Sequence, residues 1–75
     1  MKNLNKRLAV VGATGAVGRV FLELLENNFS GKKDLHLLAS KKSEGKLISC
    51  GDQQFEVKDL STFDFSLVDI AFFSA

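Results

Sequence analysis

The sequence predicts an α/β fold built around a parallel sheet, and three observations carry that prediction. A continuous apolar run, Leu8-Ala9-Val10-Val11, leads directly into Gly12-Ala13-Thr14-Gly15-Ala16-Val17-Gly18. That turn opens a helical pattern that continues through Val20, Phe21, Leu24 and Leu25. A second apolar run, Leu35-His36-Leu37-Leu38-Ala39, follows after a polar break. Strand, glycine-rich turn, helix and strand is the context in which a G-x-x-G-x-x-G spacing, a variant of G-x-G-x-x-G, reads as a dinucleotide-binding fingerprint. The expected architecture is an incomplete Rossmann-type parallel sheet: a β-α-β start, a short β-hairpin and a further β-strand.

Arg7 to Val11 reads as a buried parallel strand, because the run is continuously apolar instead of alternating. Gly12 lets the chain leave that strand in a tight turn, Gly15 lets the backbone lie close to a pyrophosphate, and Gly18 lets the helix sit close on the strand. The helix then presents unpaired N–H groups and a partial positive charge, and Thr14 adds a hydroxyl. A glycine-rich turn can also bind nothing; the strand before it, the amphipathic helix after it and the second strand favour the binding reading.

The helix is expected from about Ala16 to Asn27. Val17, Val20, Phe21, Leu24 and Leu25 repeat at helical spacing and predict the inward stripe, with Arg19, Glu23 and Glu26 opposite. Arg19 is read as an i,i+4 partner of Glu23 on a solvated face more readily than as a phosphate contact. Asn27-Asn28 and Ser30-Gly31 end the helix.

Asp34 to Ala39 is the second strand. His36, the single histidine, has no ligand at metal spacing, so a structural or surface role is expected. The polar loop Ser40 to Lys46 follows the second strand, where a dinucleotide's ribose is selected. Lys46 to Ser49 and Gln54 to Lys58 read as a hairpin joined at Cys50-Gly51-Asp52-Gln53. Cys50 would lie at that turn, without a base or cation to activate it. Ser61 to Ser66 is expected to hold one helical turn, with Phe63 packing inward. Val68 to Ala75 reads as a further buried strand.

The 75 residues are 45% hydrophobic and 25% charged, with a formal net charge of +1. That near-neutral balance gives no electrostatic case for nucleic acid or an acidic membrane surface. No apolar run is long enough to span a bilayer. The basic start, Met1 to Arg7, precedes an apolar stretch too short for a signal peptide. One cysteine fits a reducing compartment, so a cytoplasmic location is expected. The chain is half or less of a usual domain. It is expected to be the amino-terminal part (1–75) of a dinucleotide-binding domain, with the catalytic and dimerisation domain absent.

With these blocks in place, the chain resembles the amino-terminal segment of aspartate-semialdehyde dehydrogenase. The resemblance rests on Leu8 to Gly18, on Leu37 to Lys46 and on Val68 to Ala75. It implies NADPH-dependent reduction of an acyl phosphate, L-aspartyl-4-phosphate, to its semialdehyde, a step toward lysine, threonine and methionine. It also implies a thioacyl-forming cysteine, an acid–base histidine and a substrate-binding arginine, all beyond Ala75; neither Cys50 nor His36 matches them, so no catalytic residue and no metal ligand is expected here. Thr14, Gly15, Ala16 and Val17 match residues that hold the cofactor phosphates. Lys42 and Ser43 match an Arg-Ser pair near the 2′-phosphate, with Lys keeping the charge but not the planar fork. Ser74 and Ala75 match the start of a Ser-Ala-Gly-Gly turn near the nucleotide. The family implies a homo-oligomer. N-acetyl-glutamyl-phosphate reductase and a non-catalytic NADP-sensing Rossmann protein are the alternatives.

The loop also indicates which dinucleotide is selected. NAD sites place an acid about 20 residues past the glycine turn, to accept from the ribose 2′-OH. Here Ser40-Lys41-Lys42-Ser43 stands there instead, offering two cations and two hydroxyls to a phosphate. NADP(H) over NAD(H) is expected, with Lys42 and Ser43 as main selectors and Ser40 and Lys41 as helpers. The isolated chain is expected to lack dehydrogenase activity, to be marginally stable and to associate through exposed apolar surface.

Overall fold

The computed structural model describes the backbone of residues 2–3 and all of residues 5–73. Its central sheet has four parallel strands: β2 (Arg7–Val11), β4 (Asp34–Ala39), β7 (Lys58–Asp59) and β8 (Ile70–Phe73). Their spatial order is β7-β4-β2-β8. The first long strand is therefore central, with its two successors on one side and β8 on the other, which is the strand order of half a doubly wound sheet. A β-α-β start, β2 to α1 (Ala16–Asn28) to β4, is as expected.

Leu8, Val10, Leu35, Leu37 and Ala39 point to one face of the sheet and pack with Leu22 and Leu25 of α1. The antiparallel hairpin of β5 (Leu47–Cys50) and β6 (Gln53–Glu56) closes the same face, contributing Cys50. Ala9, Val11 and Leu38 point to the other face, under Leu60, Phe63, Val68 and Ala71. Two single 3-10 turns, Leu60–Thr62 and Phe65–Leu67, carry part of that cover, and Phe63 packs inward as predicted. Asp59 and Asp64 cap them by accepting from the backbone N–H groups of Ser61 and Ser66, both at 2.9 Å.

Besides β8, which is half-buried to exposed where a buried strand was expected, and two 3-10 turns in place of the one helical turn expected, four details depart from the sequence expectation. The inward face of α1 is Gly18, Leu22 and Leu25, while Val17, Val20 and Leu24 are more than half exposed. The cause is Gly18: a Cβ there would sit 2.4 Å from the Gly12 carbonyl oxygen, so the helix is phased by its contact with the turn. Phe21 keeps an inward role by stacking on Phe72 of β8, centroids 4.0 Å apart. Second, the run expected as one strand, Gln54 to Lys58, divides at the fully buried Val57. Up to Glu56 it pairs with β5; at Lys58 it joins the parallel sheet beside Leu38. Third, Cys50 ends β5 and is buried, and the turn is only Gly51-Asp52. Fourth, a short parallel pair forms between β1 (Lys2–Asn3) and β3 (Phe29–Ser30) where no strand was expected.

No helix among the described residues is long and apolar enough to cross a membrane.

Candidate functional site

The carboxyl ends of β2 and β4 meet the amino end of α1 at one cleft. Gly12 leaves β2 with φ +83°, a conformation that a Cβ would strain. The Gly12 and Ala13 N–H groups both donate to the Leu38 carbonyl, at 2.8 and 3.3 Å. Gly15 N–H closes the turn on the Gly12 carbonyl at 3.0 Å. Gly15 is then the N-cap of α1, and no side chain caps that end. Thr14 is half-buried, while Gly15, Ala16 and Val17 are exposed. The first intrahelical bond runs from Arg19 N–H to the Gly15 carbonyl. The helix therefore offers its leading N–H groups and positive dipole end to an anion.

A Cβ at Gly15 would come no closer than 3.4 Å to any other atom, so internal packing does not demand a glycine there.

The second wall is the loop after β4. Lys41–Ser43 forms one 3-10 turn, closed by Ser43 N–H to the Ser40 carbonyl at 2.9 Å. Ser40, Lys41 and Lys42 are exposed and Ser43 half-buried. Val11, Gly12, Thr14, Gly15, Ala39, Ser40 and Leu60 enclose about 330 Å³ between the two walls. Gly12, Thr14, Gly15 and Ser40 thus line one cleft and Ala16 and Val17 begin the helix beside it, while Lys41, Lys42 and Ser43 follow Ser40 in the chain and are not among the lining residues. Ser74 and Ala75 lie outside the described residues.

Leu60 was not expected at this site. Its signal in the sequence is Asp59-Leu60-Ser61, an aspartate two residues before a serine, which is an Asx-turn cue. A larger groove of about 600 Å³ lies between α1 and β5. Arg19, Glu23 and Glu26 line it together, and its two carboxylates suit no phosphate.

Neither reactive side chain belongs to the cleft. The Cys50 thiol is 1% exposed and donates to the Leu22 carbonyl at 3.6 Å. Burial pushes that thiol up, with Lys33 opposing and Glu26 adding to the shift. His36 faces the second side of the sheet, with Nε2 3.0 Å from Asp34 Oδ1 and its ring against Phe63. Among the described residues no three potential metal ligands cluster.

Comparison with known proteins bears on the same region. The family described as semialdehyde dehydrogenase, NAD binding domain, matches residues 7–75. An aspartate-semialdehyde dehydrogenase from Legionella pneumophila is 53% identical over 68 residues, 91% of this chain and 20% of the relative. A USG-1 protein homolog from Azotobacter vinelandii is 44% identical over the same shares. Among solved structures, aspartate semialdehyde dehydrogenase II from Vibrio cholerae, complexed with ASA, superposes with a TM-score of 0.84 at 44% identity. That match covers 96% of this chain and 24% of the other. The chain spans about a fifth of the length of the curated relatives it matches.

Proposed function

Because the chain belongs to the semialdehyde dehydrogenase NAD-binding family, we propose that it is the amino-terminal, cofactor-binding part of an NADPH-dependent oxidoreductase acting on L-aspartyl-4-phosphate. The product in this reading is L-aspartate 4-semialdehyde, on the route to lysine, threonine and methionine. The supporting observation is one cleft lined by the glycine turn at an uncapped helix amino end and by Ser40, the residue that leads into the Lys41–Ser43 turn. A bound nicotinamide dinucleotide would supply the hydride.

The chain's own residues bind and orient. The Gly12 to Gly15 turn and the first N–H groups of α1 receive the pyrophosphate, with the Thr14 hydroxyl beside it. Lys42 and Ser43 take the ribose 2′-phosphate, aided by Ser40 and Lys41, through charge-assisted bonds that a 2′-OH would not form. Ser74 and Ala75 belong to the nucleotide side of the site on the same family pattern. The nucleophile and acid–base groups are supplied outside this segment, since Cys50 is buried in the core and His36 is engaged with Asp34. The acyl phosphate substrate is accordingly bound elsewhere in a homo-oligomeric, cytoplasmic enzyme.

The test is calorimetric titration of the full-length protein with NADPH and NADH at one salt concentration. Tighter NADPH binding is expected. Equal affinities would remove the selectivity, and binding of neither would remove the cofactor site. In turnover with L-aspartate 4-semialdehyde, phosphate and NADP⁺, the full-length protein should be active and the 75-residue chain silent.

A further inference from the structure

The strand order gives each part of a dinucleotide a place. Its pyrophosphate belongs at the α1 amino end and its selecting ribose contact at the end of β4. The adenine end then extends toward the next strand outward, β7, which lies beside β4. Asp59 stands directly across from Ala39 in that ladder, level with the start of the basic loop. Leu60 follows it and lines the cleft with Gly12, Thr14 and Ser40.

We propose that Asp59 and Leu60 form a second selecting wall of the cofactor cleft, Leu60 as the apolar seat of the adenosine end and Asp59 as a fixed negative charge that tempers the loop's preference for a 2′-phosphate. This rests on the dinucleotide reading above.

The turn is built to hold both residues still. Asp59 Oδ1 accepts from the Ser61 N–H at 2.9 Å and from the Ser61 hydroxyl at 2.8 Å. The Thr62 hydroxyl donates to the Asp59 carbonyl at 3.3 Å, and Phe63 N–H to the Leu60 carbonyl at 3.4 Å. Leu60 also packs on the Ala9, Val11 and Leu38 face, so its side chain is shared between core and cleft. The Ser61 bonds, and behind them the charge of Lys41, hold the Asp59 carboxyl below the usual carboxylate range. Asp59 is therefore ionised at neutral pH. In this reading a 2′-phosphate drawn to the loop meets the repulsion of a carboxylate standing across the ladder from Ala39, which a 2′-OH does not feel.

The experiment measures Kd for NADPH, NADH and adenosine 2′,5′-bisphosphate on the full-length protein, native, Asp59→Asn and Leu60→Ala, at low and high salt. Asn keeps an Oδ1 acceptor for Ser61 while removing the charge. Asp59→Asn should bind NADPH and the bisphosphate about two- to fivefold tighter at low salt, with the gain shrinking at high salt and NADH unchanged. Leu60→Ala should weaken NADPH and NADH alike, by about tenfold. A melting curve accompanies each variant; if Leu60→Ala unfolds, Asp59→Asn alone decides. Unchanged or weaker NADPH binding by Asp59→Asn at low salt, or a folded Leu60→Ala with native affinities, overturns the proposal while the native protein still binds nucleotide. A native protein that binds neither dinucleotide overturns the underlying reading as well.

Discussion

Arg7 and Asp69, 62 positions apart in the chain, are joined by three hydrogen bonds to one carboxylate. Asp69 Oδ2 accepts from Arg7 N–H at 2.9 Å and from Nε at 3.2 Å, and Oδ1 accepts from Nη2 at 3.1 Å. Asp69 N–H returns a bond to the Arg7 carbonyl at 2.8 Å. The clasp fixes the entry of β8 against the entry of β2 and so sets the register of the outer strand.

This clasp predicts an acid-sensitive contribution to stability. The Arg7 side chain, and then its backbone N–H, lower the Asp69 carboxyl from 3.8 to about 2. A carboxyl lowered on folding stabilises fully above its unfolded value and loses that effect as pH falls through its folded value. Native protein should therefore lose stability between roughly pH 4 and pH 2 more steeply than Asp69→Asn, which should be the less stable at neutral pH. Asp59 and Asp64 are also lowered but are common to both variants. Urea midpoints across that range give the comparison; parallel profiles would contradict the clasp.

The phasing of α1 predicts opposite outcomes for neighbouring leucines and valines. Leu22 is 4% exposed and Val20 57%. Leu22→Ala should cost about 2–5 kcal/mol, as truncations in a packed core do. Val20→Lys should change stability by no more than about 0.5 kcal/mol. Denaturant unfolding of both variants reads this directly, and equal losses would restore the stripe predicted from periodicity.

The proposed selection of the 2′-phosphate by the loop predicts a one-sided loss. Lys42→Ala in the full-length protein should weaken NADPH by on the order of one to two decades and leave NADH nearly unchanged. Losses of equal size for both cofactors would mean that the loop shapes the cleft without choosing between them.

Cys50 should be a silent thiol. Burial raises its pKa and leaves little thiolate at neutral pH. An aromatic disulfide reagent should label native protein only as fast as it opens, and label it rapidly in denaturant. Fast native labelling would move Cys50 to the surface. Cys50→Ser should likewise leave the proposed turnover of the full-length protein unchanged.

Much of the fold was legible because it is written in apolar runs and glycines. The strands Arg7 to Val11 and Asp34 to Ala39 have the bounds read from sequence, and α1 differs by one residue at its carboxyl end. The inward face of α1 was not legible, because it is set by Gly18, which contributes no hydrophobic signal. The division at Val57 was hidden for a related reason: the residue is equally apolar in either sheet, and only three-dimensional pairing moves the chain from one to the other. Of the candidate cleft, the glycine turn and Ser40 were singled out in the sequence by local chemistry. Leu60 was not, since the Asx cue around it marks a turn and not the cleft it reaches through the strand order.

The shared acceptor at Leu38 has a consequence for how this chain tolerates changes in length. Two N–H groups of the turn are tied to one carbonyl, and that carbonyl precedes Ser40 by two residues. The spacing between the two walls is thus measured from a single atom instead of along a loop. One residue added between Val11 and Ala13 would break these ties, and one added between Ala13 and Gly18 would drive the helix off its seat. Residues added at Gly51-Asp52, the exposed tip of the hairpin, would leave that measurement untouched. Insertions and deletions among related chains should therefore gather at the tip and spare the turn.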